Sequence, residues 1–395
     1  MAPDLLPPDR QPVIIAALRT PVCRVNGPLR TVPAHELLAP VLRRLVSTTG
    51  LDPAAVADVV IGNAVGAGGN VARLALLAAG LPVGVPGMTV DRQCGSGLDA
   101  IALAARLVAA GGNPVYLAGG VESTSTAPLR ARPDADGTPR FYSRAQFVPA
   151  GFGDPDMGVA AENVAREYAV GRERQDALAL ASHGRALAAA AAGTFSGEIV
   201  SVAVGATEVS VDDGPRRGLN NAVMARFPAA FVPGGTVTAG NSCFDADAAS
   251  AVVVTSLARA RELNAADGLL VLGTATAGVD PAVLGIGAVP AARSVLAAAG
   301  LAAAEVDLVE FNEAFAAQTL ACLDLLGIAP ELANADGGAL ALGHAYGASG
   351  AVLVTRLLAQ ARAQGVAGTL ALALISMAGG MGTAALLRYE RISRD

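Results

Sequence analysis

The chain of 395 residues contains no tryptophan, three histidines and four cysteines. The cysteines lie far apart and form no C-x-x-C pair, so the sequence offers no zinc cluster and we expect no metal site. Their wide spacing in a large chain is typical of reduced thiols rather than of the disulfide framework of a small secreted domain. We therefore expect a cytoplasmic protein with four free thiols: Cys23, Cys94, Cys243 and Cys322.

Charged residues are scarce as well, at 16% of the chain against 53% hydrophobic residues, and the net charge is −6. Because the sequence contains no block of lysine and arginine, nucleic acid and anionic membrane surfaces are excluded as general partners. The N-terminal MAPDLLPPDRQP lacks the apolar run of a signal peptide. Residues 365–387 carry no charge over the length of a membrane helix, but the central AGGMG favours a turn between two buried strands. We expect no membrane span.

Motifs of the first half of the chain recur in the second half in the same order. VADVVIGNAV at 56–65 resembles VDLVEFNEAF at 306–315, and VYLAGGVEST resembles LISMAGGMGT. Between these pairs, TVDRQCGSGLDAIALAARLV resembles ALGHAYGASGAVLVTRLL, and each member places a Gly/Ser-rich bend before an apolar helical run. The shared order predicts that one α/β unit is duplicated.

Each unit alternates apolar strand-like runs, such as PVIIAAL and VYLAGG, with helical periodicity, such as residues 98–110 before Gly111 and Gly112. This alternation predicts a mostly parallel sheet with helices packed on it. The most polar part of the chain lies between the two units and is typical of a cap that covers them. We expect a first half, an inserted domain and a second half with these bounds: 1–121 with 238–267, 122–237, and 268–395.

Cys94 lies in DRQCGSGLDA, between a strand-like run and a helix-like run. A helix N-terminus favours a thiolate, and the flanking backbone N–H groups can bind an oxyanion. The adjacent glycines would let a substrate approach the backbone closely. A buried inert cysteine is the other common fate of this residue type, so the local motif leaves a nucleophile and a packing residue both open.

His344 favours the catalytic alternative, because it occupies the bend of the second unit that matches the Cys94 bend. Equivalent bends of a duplicated α/β core meet near its two-fold axis, which would place an imidazole beside the sulfur for nucleophilic catalysis. His183 lies in a helical run and is expected to be structural, while His35 has no supporting context. Asn312, in NEAF at the end of a strand-like run, is either a strand cap or an amide that orients a water or an acyl oxygen.

These residues belong to a longer series of motifs that covers nearly the whole chain: CGSGLDA, AGGVEST, DMGVAAENVA, RERQDALALASHGRA, GTVTAGNS, GVDPAVLGIGAVPA, NEAFAAQ, GGALALGH and GGMG. With them the chain resembles the thiolases, which make and cleave 3-ketoacyl-CoA. The resemblance implies an α/β fold with a duplicated, five-layered αβαβα core and an inserted loop domain. It also implies an acyltransferase that uses acyl-CoA as substrate, holds no tightly bound cofactor and assembles as a homodimer or homotetramer.

The resemblance also assigns roles to individual residues. Cys94 would carry the acyl group as a thioester, and His344 would activate it. His344 and a water held by Asn312 would form one oxyanion hole, while the backbone N–H groups of Cys94 and Ala378 would form the other. Coenzyme A would lie between the loop domain and the core, and four residues are expected at its site: Met157, Ser242, Cys243 and Phe315.

The chain departs from the thiolase pattern near the expected site of the second substrate. Thiolases carry a second cysteine in a C-x-G-G-G segment, where it removes and returns a proton, but here SMAGG places Ser376 at that position. A thiol has a pKa of about 8.5 and can be tuned towards neutrality, whereas a serine hydroxyl is a poor general base unless another group activates it. In addition, Ala345 replaces the usual proline after the histidine, and Phe244 and Asp245 bring bulk and charge where a thiolase has small residues.

Three functions are consistent with this sequence. The first is a C-acyltransferase that forms or cleaves 3-ketoacyl-CoA by way of a Cys94 acyl-enzyme, with Ser376 or a bound water completing the proton transfer. The second is a diverged acyltransferase or hydrolase that loads Cys94 from acyl-CoA and passes the acyl group to an amine, a hydroxyl or water. The third is a subunit or scaffold without an activity of its own, which the presence of Cys94, Asn312 and His344 disfavours.

Overall fold

The structure is a computed structural model that describes residues 5–112 and 114–393. The strands of this part of the chain are β1 Pro12–Arg19, β2 Cys23–Arg24, β3 Val56–Gly62, β4 Gly87–Val90, β5 Val115–Ser123, β6 Arg130–Pro133, β7 Pro139–Tyr142, β8 Val202–Val204, β9 Thr207–Val209, β10 Ala246–Ser256, β11 Asp267–Gly278, β12 Leu308–Phe311, β13 Leu370–Met377 and β14 Met381–Arg391. The helices are α1 Ala34–Thr49, α2 Val71–Ala78, α3 Ser96–Ala109, α4 Met157–Glu167, α5 Arg172–Ala191, α6 Asn221–Met224, α7 Leu257–Glu262, α8 Ala288–Ala299, α9 Ala316–Leu326, α10 Ala339–Leu342 and α11 Tyr346–Gln364.

One large sheet carries both copies of the duplicated unit, with the strand order β12–β13–β14–β11–β1–β10–β5–β3–β4. From the centre outwards, the first copy runs β1–β10–β5–β3–β4 and the second runs β11–β14–β13–β12. In the first copy, β4 pairs with the outer edge of β3. At the equivalent edge of β12 in the second copy, an isolated parallel bridge joins Val309 to Ala333. The copies meet where β1 pairs briefly with β11, for example at Val13 and Leu270. The predicted duplication is therefore confirmed.

The prediction of a mostly parallel sheet is wrong, because the sheet is mixed. β3 pairs in parallel with β4 and β5, and β12 pairs in parallel with β13. The pairs β1–β10, β10–β5, β11–β14 and β13–β14 are antiparallel. The physical reason is the last strand of each unit, which returns antiparallel to the strand before it. After β13 the chain reverses directly through a tight turn into β14, and after β5 the inserted segment brings it back as β10.

The uncharged segment 365–387 forms β13 and the first part of β14 rather than a helix, as the AGGMG turn predicted. Gly379 and Gly380 adopt φ values of +82° and +78° in this turn, which glycine takes without strain. Throughout residues 5–112 and 114–393, no helix is both long and apolar enough to cross a membrane.

Three hydrophobic cores divide the strands and helices into five layers. The helices α1 and α2 pack on one face of the first copy, with Leu42 and Leu76 in that core. The helices α3 and α11 lie between the two copies, and their core joins Leu98 and Leu357 to strands of both. The helices α8 and α9 cover the remaining face of the second copy, around Phe311. The expected αβαβα architecture is thus confirmed, and it places the N-termini of α3 and α11 in the central layer.

The segment between β5 and β10 contains α4, α5, α6 and the hairpins β6–β7 and β8–β9. A separate core joins α4 and α5 to α9 and to the turn at 281–286, with Val164, Leu178 and Leu320 among its buried side chains. The inserted segment therefore packs on helices of the second half. The domain bounds given above remain predictions.

Candidate active site

Cys94 lies in a tight bend between β4 and α3, where the sequence predicted it. Gln93 adopts a left-handed conformation with a φ of +51°, which turns the chain sharply before the helix. Ser96 closes the bend, since its hydroxyl donates to the Gln93 carbonyl at 2.5 Å and accepts from the Arg92 N–H at 2.8 Å. The bend places Cys94 directly before the first turn of α3, where backbone N–H groups have no helical partner.

The Cys94 thiol is half-buried, and loss of hydration raises its pKa to about 12. The backbone N–H groups of Ala378 and of Cys94 itself lower this pKa by hydrogen bonding, while the charges of Glu122 and Asp245 raise it. The thiol is therefore protonated at neutral pH, and a base must take its proton when it reacts. The N–H groups that contact the sulfur are the two that were predicted to form an oxyanion hole.

His344 follows α10 and is held against the start of β10 by backbone hydrogen bonds. Its N–H donates to the Phe244 carbonyl at 2.9 Å, and its carbonyl accepts from the Ala246 N–H at 3.1 Å. Gly343 adopts a φ of +106°, and a Cβ at this position would lie 2.6 Å from the Phe244 ring. The chain can reach the His344 position along this path only because residue 343 is glycine.

The His344 imidazole is buried and is oriented by Ser349, whose Oγ lies 2.7 Å from Nδ1. In the described part of the chain, Nε2 has no hydrogen-bond partner. Burial lowers the pKa of His344 to about 4, so the ring is neutral at physiological pH. A proton on Nδ1 that is donated to Ser349 leaves the Nε2 lone pair open to accept a proton. Sequence analysis missed Ser349, whose only signal was its place in the GASG run after the histidine.

Tyr346 and Asp245 form a hydrogen-bonded pair beside His344. The Tyr346 hydroxyl donates to Asp245 Oδ1 at 2.5 Å, and the tyrosine ring packs edge-on against His344 with 5.1 Å between ring centroids. Burial and the Asp245 carboxylate raise the pKa of Tyr346 well above its usual value, and the charges of Cys94 and Cys243 contribute in the same direction. The sequence indicated Asp245 only as an unusual charge, and it gave no signal for Tyr346.

Asn312 follows β12, and its N–H donates to the Leu374 carbonyl at 3.0 Å. Its side-chain Nδ2 is buried and has no partner among the described residues, so an amide donor is available at this point. Glu313, the next residue, accepts from Asn334 at 2.7 Å and from Ser182 at 2.7 Å, which fixes the NEAF segment to the inserted helix α5. The donor is compatible with the predicted water or acyl oxygen, and that role remains a prediction.

The four residues expected at the coenzyme A site lie on adjoining segments. Ser242 forms an isolated bridge with Phe315, and the Cys243 N–H donates to the Ala314 carbonyl at 3.0 Å. Phe231, which the sequence did not indicate, stacks edge-on against Phe315 with 5.9 Å between centroids. A Cβ on Gly158, the residue after Met157, would lie 2.1 Å from the Phe231 ring, so this ring also contacts α4. The contacts form an apolar surface between the insertion and the core, and the binding roles of Met157, Ser242, Cys243 and Phe315 remain predictions.

Ser376 is buried and bonded to backbone groups. Its hydroxyl donates to the Gly285 carbonyl at 2.7 Å and accepts from the Ala288 N–H at 3.0 Å. The next residue, Met377, lies on the other face of β13, where its sulfur occupies the space that a Cβ on Gly95 would need. The neighbour of Ser376 therefore faces the Cys94 bend, while the Ser376 hydroxyl is bonded to the segment that leads into α8. Its catalytic role remains a prediction.

Comparisons with known proteins agree with this geometry. The thiolase N-terminal domain family matches residues 12–258, and the thiolase C-terminal domain family matches residues 269–389. "Putative acetyl-CoA C-acetyltransferase VraB" of Staphylococcus aureus (strain MRSA252) is 41% identical over 380 residues, which are 95% of this chain and 98% of that protein. The protein of the same description from Staphylococcus epidermidis (strain ATCC 12228 / FDA PCI 1200) is 41% identical over 386 residues, which are 97% and 99% of the two chains.

A solved structure is similar over the whole fold. The crystal structure of the Bacillus anthracis acetyl-CoA acetyltransferase has a TM-score of 0.88 and 34% sequence identity, and the match covers 96% of this chain and 99% of that chain. Both duplicated halves and the inserted segment lie within the aligned length. The chain therefore belongs to the thiolase family and is an acyltransferase.

Proposed function

We propose that this protein forms or cleaves 3-ketoacyl-CoA by way of an acyl group carried on Cys94. One observation carries the proposal: the Cys94 thiol accepts the Ala378 N–H, and a buried, neutral His344 with an open Nε2 lies at the matching bend. A thiol paired with a neutral imidazole can attack a thioester, and N–H groups at the reacting atom stabilise the oxyanion that forms. The similarity to proteins described as acetyl-CoA acetyltransferases supports coenzyme A thioesters as substrates.

In the first half-reaction, the Cys94 thiol gives its proton to His344 Nε2 while the sulfur attacks the thioester carbonyl. The carbonyl oxygen becomes negative and accepts hydrogen bonds from the N–H groups of Cys94 and Ala378. The C–S bond to coenzyme A then breaks, and the departing thiolate takes the proton from His344. The neutral state of His344 supports this scheme, because only a neutral imidazole can act as the base.

In the second half-reaction, a carbanion at the methyl carbon of a second acyl-CoA attacks the acyl group on Cys94. The oxygen of this acyl group would keep its hydrogen bonds from the N–H groups of Cys94 and Ala378. The thioester oxygen of the second acyl-CoA would lie in the other predicted oxyanion hole, formed by His344 and a water held by Asn312, whose buried Nδ2 supports such a contact. Reversal of the same steps cleaves 3-ketoacyl-CoA. A base must remove the methyl proton in the forward direction, and this requirement makes the geometry of Ser376 relevant.

The hydrogen bonds of Ser376 favour a second function. Its hydroxyl gives its proton to the Gly285 carbonyl, and no carboxylate or imidazole among the described residues is bonded to it, so no partner activates it as a base. A diverged enzyme would load Cys94 from acyl-CoA and pass the acyl group to water, an amine or a hydroxyl, none of which needs a carbanion. The acyl group on Cys94 is common to both functions.

We also propose that the chain assembles as a homodimer or homotetramer and holds no tightly bound cofactor. Large apolar side chains of the inserted segment are exposed, which supports assembly through this part of the molecule. They are Leu129, Phe141 and Phe152.

Intact-mass analysis after incubation with acetyl-CoA or acetoacetyl-CoA tests the proposal. We expect one acyl adduct on the wild-type protein and none on Cys94→Ala, together with coenzyme-A-dependent thiolysis of acetoacetyl-CoA. The absence of an adduct would contradict both functions. An adduct without thiolysis, with thiolysis restored by Ser376→Cys, would favour the second function over the first.

A further inference from the structure

The carbon–carbon step needs a proton acceptor close to Cys94, and the surroundings of the sulfur offer few. Apart from His344, which serves the thiol, four titratable side chains of the described residues interact electrostatically with Cys94. They are Glu122, Cys243, Asp245 and Tyr346. Each can be judged by what already occupies its polar atoms.

Glu122 is fully buried, and both of its carboxylate oxygens are occupied. They accept from Asn63 Nδ2 at 2.6 Å and from the backbone N–H groups of Ala64, Val65 and Gly347 at 2.9, 3.2 and 3.1 Å. This carboxylate fixes the start of α11 to the segment after β3. It has no remaining oxygen to offer to a substrate.

Cys243 is a weak candidate for a different reason. Burial and the nearby Asp245 carboxylate raise the pKa of Cys243 well above the usual range of a thiol. A proton acceptor must be unprotonated when the substrate arrives, and a thiol with this environment holds its proton at neutral pH.

Asp245 combines exposure with a fixed position next to the catalytic histidine. Its carboxylate is exposed, and Tyr346 donates to Oδ1 at 2.5 Å. No arginine pairs with it in the part of the chain that the structure describes. The residues on either side of it, Phe244 and Ala246, form the two backbone hydrogen bonds that hold His344. One carboxylate oxygen is therefore oriented by a tyrosine, while the other accepts no hydrogen bond from the described residues.

We propose that Asp245 is the base of the carbon–carbon step and that Tyr346 carries the proton between Asp245 and Cys94. This inference deepens the proposed function and rests on it. Asp245 takes a proton from the methyl carbon of the acceptor thioester, and the electron pair of that C–H bond forms the new bond to the carbonyl carbon of the acyl-Cys94. The C–S bond to Cys94 breaks and its electron pair stays on sulfur. Tyr346 gives its hydroxyl proton to this thiolate and takes the proton from Asp245, which restores all three groups.

Loss of deuterium from the methyl group of CD3-labelled acetyl-CoA into water measures the proton removal directly. The wild-type protein should catalyse this exchange, and Asp245→Asn should slow it by about 10²–10⁴-fold, the usual contribution of a general base. Tyr346→Phe keeps the ring against His344 but removes the relay, so it should slow acetoacetyl-CoA formation more than it slows exchange. Formation of the acyl adduct on Cys94, measured in the same samples, reports whether each variant retains a working first half-reaction. Glu208→Gln, which removes an exposed carboxylate on β9, is the matched control and should behave as wild type.

The outcomes distinguish failure of the proposed function from failure of the proposed role of Asp245. A wild-type protein without an acyl adduct would contradict the proposed function itself. An adduct together with wild-type exchange in Asp245→Asn would overturn the role of Asp245, and loss of exchange in Cys243→Ser or Ser376→Ala alone would assign the base to that residue instead. If Asp245→Asn does not fold, Asp245→Glu can be tested instead. This variant retains a carboxylate on a longer side chain and should keep part of the deuterium exchange. Complete loss of exchange in Asp245→Glu, with a normal level of the acyl adduct, would contradict an acid–base role for Asp245.

Discussion

Replacement of Ser349 by alanine should slow the acylation of Cys94 by about 5- to 150-fold. Ser349 Oγ lies 2.7 Å from Nδ1 of a buried His344, and both side chains are nearly inaccessible to water. Without the hydroxyl, the Nδ1–H has no partner, which costs about 1–3 kcal/mol for a buried donor. The resting ring can reduce this loss by moving its proton to Nε2. The imidazolium of the transition state must carry both protons and therefore bears the full cost, which appears in the rate.

Rapid mixing with acetyl-CoA, followed by acid quench and intact-mass analysis, measures this step without the second half-reaction. Ser250→Ala is the matched control, because the Ser250 hydroxyl is equally buried and contacts the Leu18 carbonyl on β1 and the Thr355 hydroxyl on α11 rather than His344. We expect this control to lose stability but to acylate at the wild-type rate. Acylation of Ser349→Ala within about twofold of wild type would refute the reasoning, as would an equal loss in both variants.

Three further predictions follow from the same contacts. Ser376→Ala should lower the free energy of unfolding by about 1–3 kcal/mol, because two buried backbone groups lose their partner; an unchanged urea midpoint would contradict this structural role. The pKa of His344 is lowered in the folded state to about 4, so between pH 6.5 and 4 the unfolded chain binds a proton that the folded chain does not. The stability of the wild type should therefore fall relative to His344→Gln as the pH drops through this range, and a constant difference in urea titrations would be inconsistent with a buried neutral imidazole. Gly343→Ala should slow acylation by about 100-fold through displacement of the histidine, whereas Gly84→Ala, with no atom within 4 Å of the new Cβ, should acylate normally.

Local sequence patterns predicted where the two bends of the candidate site lie in the fold, while the roles of their residues remain predictions. Cys94 and His344 were predicted because each lies in a Gly/Ser-rich bend before an apolar helical run, and the two bends match in the duplicated order. The fold class followed from the same repetition and from the thiolase motifs. Strand direction did not follow, because an apolar run has the same periodicity in a parallel and an antiparallel pair.

The contacts that the sequence did not predict join residues from distant parts of the chain. Tyr346 and Asp245 are 101 residues apart, and their hydrogen bond exists only because the start of α11 packs beside the start of β10. The position of Ser376 was known from the motif, but the face of β13 on which its hydroxyl lies depends on how β13 packs against α8. No local pattern encodes either arrangement.

The two proposed proton acceptors differ in burial, and this difference suits the two proton transfers of the scheme. One transfer takes the proton of the Cys94 thiol, and the other takes a proton from the substrate methyl group. His344 is buried, uncharged and held by a single hydroxyl, which suits the proposed transfer of a proton from the Cys94 thiol out of competition with water. Asp245 is exposed and is oriented by Tyr346, which suits its proposed role as the base that meets the substrate methyl group. Under this proposal, a serine at position 376 is compatible with carbon–carbon chemistry. The exchange assay decides this point, since it asks which side chain removes the methyl proton independently of which one carries the acyl group.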